Sequence, residues 1–120
     1  EQLPSLAGAG MSDGQVVCAE AGGVEESQKK IVEKFRDDYK KKFGIEVKLY
    51  APYVYDAVMV MADSMKRADS VDPAKFLPEV GKTNYVTGKI EFDARGDIKN
   101  GLLTLYTYKG GKRSQIAVTK

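Results

Sequence analysis

The chain has 120 residues, 42% hydrophobic and 30% charged, and its 19 Lys and Arg nearly balance 17 Asp and Glu for a net charge of +2. That length matches one domain with a modest core, and so small a positive excess, spread among acids, gives no reason to expect a nucleic-acid partner. The lack of histidine removes the commonest general base and metal ligand, and the single cysteine, Cys18, excludes an internal disulfide and a Cys-based zinc cluster.

The opening "EQLPSLAGAGMSDG" carries no initiator Met and no signal peptide. It reads either as a mature terminus or as the cut edge of something larger. A short helix is expected around Pro4 to Ala9, then a turn at Ser12-Asp13-Gly14. "QVVCAEA" (15–21) has the composition of a short strand, ended by Gly22-Gly23.

From Glu25 to Phe43 the periodicity is helical. Ile31, Phe35, Tyr39 and Phe43 recur every four residues with Val32 beside them, and Glu26/Lys30 and Asp37/Lys41 sit acid before base at i, i+4. Lys40, Lys41 and Lys42 suit the negative end of the helix dipole, and Gly44 is placed as the stop. "IEVKLY" (45–50) alternates as an extended segment with one buried face. Pro52 then opens a second helix. Val54, Ala57, Val58, Met61, Ala62 and Met65 form a wide apolar stripe on it, which predicts a buried helix covered on more than one side. Asp56, Asp63 and Lys66 interrupt it too often for a membrane span. Its longest apolar run, Ala57 to Ala62, is far short of the ~20 residues a bilayer requires.

"VDPAKFLPEV" (71–80) predicts a short helix with Asp72 as N-cap, Pro73 at its first position and Phe76, Leu77 and Val80 inward, made irregular by Pro78. "YVTGKIEF" (85–92) and "LLTLYTYK" (102–109) are predicted strands joined by "DARGDIKNG". Gly110-Gly111 fits a tight two-residue turn into "SQIAV" (114–118). There is no internal repeat or low-complexity tract.

Enzyme signatures are missing: no G-x-S-x-G, no phosphate loop, no H-E-x-x-H and no Cys/His pair. "GAGMSDG" lacks the spacing and the preceding strand of a dinucleotide loop and reads as a turn. "DARGDIKN" does not offer carboxylates at every second position, as a calcium loop does, and reads as a polar connection. No catalytic residue, metal ligand or cofactor is expected. Tyr50, Tyr53 and Tyr55 lie where a strand hands over to a helix, the kind of junction at which open α/β sheets bind ligands. Each offers an apolar ring face and a hydroxyl together, but each also fits the edge of a core.

Around the same stretch, "YAPYVYDAVMVMADSMKRADS", the sequence resembles the substrate-binding proteins of branched-chain amino-acid ABC transporters. These are type I periplasmic binding proteins of the leucine/isoleucine/valine-binding group. The resemblance runs through "VDPAKFLPEV", "VTGKIEFDARGDIKNG" and "LTLYTYKGGK", and upstream through "LAGAGMSDGQVVCAEAGG". Its most specific phrase is "TGxIxFDxxGD".

The resemblance implies an α/β fold: part of one type I lobe, a parallel sheet flanked by helices, with a C-terminal β-hairpin. It implies the C-terminal fragment of a two-lobed protein, with residues 1–84 a lobe segment and 85–120 a crossover strand and hairpin. Tyr50 aligns with an aromatic position bordering the ligand in the family, and Tyr53 is a weaker neighbour. The small residues that hold the ligand's α-carboxylate are not in this chain, and the acidic residue for the α-ammonium falls just before Glu1. Relatives usually carry extra residues between Asn84 and Val86. The implied function is capture of leucine, isoleucine, valine or a similar amino acid in the periplasm for an inner-membrane ABC permease, without catalysis. The alternative is a ligand-sensing regulatory domain of the same fold. A fragment of this kind is expected to self-associate through an exposed apolar edge.

Overall fold

The computed structural model describes residues 3–8, 13–21 and 23–119. The expected turn at Ser12-Asp13-Gly14 and the loop "GAGMSDG" lie partly outside them. The chain divides into two compact units: residues 1–23 with 101–120, and residues 24–100. Residue 84, the division suggested by sequence, falls inside the second.

The first unit is an antiparallel sheet of β1 (Val17–Glu20), β4 (Leu103–Lys109) and β5 (Lys112–Thr119), in the order β1-β4-β5, preceded by a short helix α1 (Leu3–Ala7). Strand β1 pairs from Val17 opposite Thr107 to Glu20 opposite Thr104. The β4–β5 register slips at a bulge between Leu105 and Tyr106. Both residues of the Gly110-Gly111 turn have positive φ, 55° and 70°, which a two-residue hairpin turn demands and glycine supplies without strain. Asp13 Oδ1 accepts the Gly110 N–H at 2.8 Å and so fastens the segment before β1 to the hairpin tip. The Arg113 guanidinium lies 4.4 Å from the Tyr106 ring centre and pairs with Glu20 across the sheet.

The second unit begins with a 3₁₀ turn at Glu26–Gln28 and continues through α2 (Lys29–Phe43), α3 (Ala51–Ala68), α4 (Pro73–Phe76) and a 3₁₀ turn at Leu77–Glu79. It ends with the antiparallel pair β2 (Thr83–Asn84) and β3 (Lys89–Ile90) and a tight loop. Helix α2 stops at Gly44, whose N–H donates to Lys40 O at 2.8 Å. Its aromatic ladder stacks on itself, Phe35 to Tyr39 at 6.0 Å and Tyr39 to Phe43 at 4.7 Å between ring centres. Asp72 caps α4 by accepting the Ala74 N–H, and Pro73 follows, as the sequence predicts. The buried apolar side chains of this unit are Val32, Val60, Phe76 and Tyr85.

Five expectations are corrected. Every strand pairing among the described residues is antiparallel, so the expected parallel sheet is not among them. Residues 45–50 are extended and turn-like without being a strand, because a strand needs a hydrogen-bonded neighbour and none is present among the described residues. The strand expected over 85–92 is reduced to Lys89–Ile90, since 85–88 closes on itself through the Tyr85 N–H to Gly88 O bond. The largest departure concerns α3. Its buried face is Pro52, Asp56, Val60 and Ser64, one residue every four, while Val54 and Val58 are each 62% exposed and Met61 is 40% exposed. The apolar stripe that predicts a buried helix therefore faces outward. Leu77 is exposed as well, leaving Phe76 as the inward residue of its short helix.

Candidate functional site

The three tyrosines at the start of α3 separate into different environments. Tyr50 is the N-cap: its carbonyl accepts the Val54 N–H at 3.0 Å, and its side chain is 62% exposed. Pro52, in the first turn, is buried, which pins the backbone between Tyr50 and the half-buried Tyr53. Tyr55 turns to the other helix, with its ring centre 5.2 Å from that of Phe35. For Tyr55 the core-edge reading is therefore the right one. Tyr50 keeps an open ring face and hydroxyl, suited to covering an apolar group while donating one hydrogen bond.

Two clusters fasten α3 from below. Near the tyrosines, the Asp56 carboxylate is 1% exposed and accepts three hydrogen bonds. Val86 N–H reaches Oδ1 at 3.0 Å, while Thr87 N–H and hydroxyl reach Oδ2 at 2.7 and 2.6 Å. A buried carboxylate is tolerated when its oxygens are satisfied in this way. At the far end, Arg67 donates to Glu79 O at 2.6 Å and Gly81 O at 2.9 Å, and the buried Ser64 hydroxyl donates to Val60 O and Glu79 O. Sequence reasoning saw Asp56 only as a break in an apolar run. The usable signal was its position four residues after Pro52, on the same helix face, with a Thr-Gly turn downstream to supply donors.

The "DARGDIKN" stretch, expected as a polar connection, contains a turn. Asp93 Oδ1 accepts the N–H groups of Arg95 at 2.8 Å and Asp97 at 3.0 Å. These backbone bonds, that from Asp97 first, hold the Asp93 carboxyl below its ordinary value. Among the described residues no group of three or more His, Cys, Asp or Glu is placed to hold a metal ion. Among the same residues, no helix is long and apolar enough to cross a membrane.

No family model matches the chain. A Leu/Ile/Val-binding protein homolog of Brucella suis is 36% identical over 84 residues, which cover 68% of this chain and 21% of that protein. The corresponding homolog of Brucella abortus is 31% identical over 90 residues, covering 72% and 23%. Among solved structures, the leucine-binding protein LivK of Thermotoga maritima superposes with a TM-score of 0.76 at 27% identity, over 98% of this chain and 33% of that one. An ABC transporter substrate-binding protein of Desulfitobacterium hafniense, in complex with Leu, gives a TM-score of 0.68 at 24% identity, over 83% and 30%. The fold is thus that of part of a type I periplasmic binding protein. The chain belongs to the Leu/Ile/Val-binding protein family, and it spans about a fifth of the length of the curated relatives it matches.

Proposed function

We propose that this chain is the C-terminal part of a substrate-binding protein that captures leucine, isoleucine, valine or a similar amino acid in the periplasm and delivers it to an ABC permease. The observation that carries the reading is the open ring of Tyr50 at the N-cap of α3, in a chain whose fold superposes on a leucine-binding protein. Tyr50 contributes an apolar wall for the ligand side chain, and Tyr53 supports it from the first turn. The protein acts by binding alone. Closure around the ligand follows from contacts that both walls of a cleft make only when closed.

Titration calorimetry of the whole protein carrying this segment, against a panel of amino acids, tests the reading. Saturable binding of a branched-chain amino acid, weakened about tenfold by Tyr50→Ala, is the expected result. Heats that do not change on adding any amino acid would sink the reading.

A further inference from the structure

We propose that Asp56 is a positioning residue for the ligand site, holding the Tyr50–Tyr53 lip in place through the 85–88 loop. This rests on the assignment of that lip to the amino-acid site. The first two turns of α3 have two anchors on their buried face, Pro52 and Asp56. Tyr50 and Tyr53 flank Pro52 in sequence, and Asp56 lies one turn beyond. Proline fixes φ but donates nothing, so the polar attachment of this end of the helix falls to Asp56.

Both oxygens of Asp56 are engaged, and all three donors come from two consecutive residues, Val86 and Thr87. That geometry leaves little freedom. The loop is itself closed by the Tyr85 N–H to Gly88 O bond at 2.9 Å, and the Tyr85 side chain is buried. A tilt of this end of the helix therefore has to break bonds to a buried carboxylate. An amide in place of Asp56 keeps one acceptor oxygen and turns an NH₂ toward a backbone N–H, so Asp56→Asn releases one side of the grip. The lip is then free to shift, and a small displacement of a wall residue is enough to weaken binding.

A merely structural residue on the same face provides the control. Ser64 is fully buried two turns further along and bonds Val60 O and Glu79 O, far from the tyrosines in sequence. Both Asp56→Asn and Ser64→Ala are expected to lower the unfolding temperature. Only Asp56→Asn is expected to move the Tyr50 and Tyr53 ring resonances in NMR spectra of this chain. In the whole protein only Asp56→Asn is expected to weaken leucine binding, by about tenfold. Thr87→Ser, which keeps the hydroxyl donor, is expected to behave as the unaltered chain, and Thr87→Val to shift the same resonances partway. Ring resonances that stay in place in both Asp56→Asn and Thr87→Val, or that move as far in Ser64→Ala, overturn the proposal. If Asp56→Asn fails to fold, the Thr87 pair decides alone. If the unaltered whole protein binds no amino acid, the transport reading fails, and the ring resonances still decide the role of Asp56.

Discussion

Asp56 and Thr87, 31 residues apart, are joined twice: the N–H and the hydroxyl of Thr87 both donate to Asp56 Oδ2, at 2.7 and 2.6 Å. The carboxylate is 1% exposed, so these bonds compete with little water. Bonds to a charged acceptor in such a place are worth more than ordinary ones, and an unpaired donor left behind adds its own cost.

Thr87→Val is therefore expected to lower the unfolding free energy by about 1.5 kcal/mol, and Asp56→Ala by about 3 kcal/mol because it orphans three donors at once. The double variant is expected to cost little more than Asp56→Ala alone, since the Thr87 hydroxyl has already lost its acceptor. Urea denaturation with a shared slope checks all three. Strict additivity would mean that the pair does not act as a unit.

Gly23 illustrates a different constraint. Its N–H donates to the Thr104 hydroxyl at 2.8 Å, and a Cβ at that position would stand 2.2 Å from the same oxygen and 2.9 Å from Val118 Cγ2. Thr104 is fully buried and has nowhere to retreat. Gly23→Ala is expected to cost about 2 kcal/mol through overpacking. Thermal unfolding measures it, and an unchanged midpoint would show that the β4–β5 hairpin yields more readily than its burial implies.

Asp93 titrates in a way that can be separated from its hydrogen bonding. The N–H groups of Asp97 and Arg95 favour its ionised form and depress its folded-state pKa below the ordinary 3.8. A carboxyl depressed on folding stabilises the fold at pH above its unfolded value, and that contribution fades as pH falls through the folded value. Asp93→Asn keeps an oxygen for the same two N–H groups but cannot titrate. Its unfolding free energy is expected to fall less steeply as pH drops below the ordinary carboxyl value of 3.8 than that of the unaltered chain. Equal slopes in acid would remove Asp93 from the account.

Local chemistry was legible in the sequence wherever a short stretch determines its own structure. The Asp72-Pro73 cap, the Gly44 stop and the Gly110-Gly111 hairpin depend on a handful of adjacent residues, and all are found where expected. Pairing and burial were less legible because they depend on distant partners. The alternation of Ile45, Val47 and Leu49 signals an extended chain, yet nothing in it says whether a neighbouring strand exists. Apolar periodicity likewise located α3 correctly but could not tell which face this chain itself covers. It is the polar side, with Asp56 and Ser64, that is sealed. The residue pattern placed all three tyrosines together where a strand hands over to a helix, and the diversion of Tyr55 to Phe35 was not legible because it requires the packing of two helices.

The outward stripe of α3 leads to the last expectation. Val54, Val58 and Met61, with Ala57 and Ala62 beside them, form an apolar ridge at helical spacing that no residue of its own unit seals. Exposed apolar side chains of this size, aligned along about two turns, favour contact with another apolar surface, since each buried Val or Met gains about 1.5–3 kcal/mol. In a solution of this chain alone, the same ridge on a second copy offers such a surface. Light scattering is expected to report a mass that rises with concentration. Placing charge in the middle of the ridge, by Val58→Glu with Met61→Lys, is expected to return the mass to 13.2 kDa without loss of helix by circular dichroism. The two charged residues sit at i, i+3 with acid before base, so the substitution supports the helix while making its ridge poor at self-contact. A monomeric mass for the unaltered chain at every concentration would show that Val54, Val58 and Met61 are held in water without a partner.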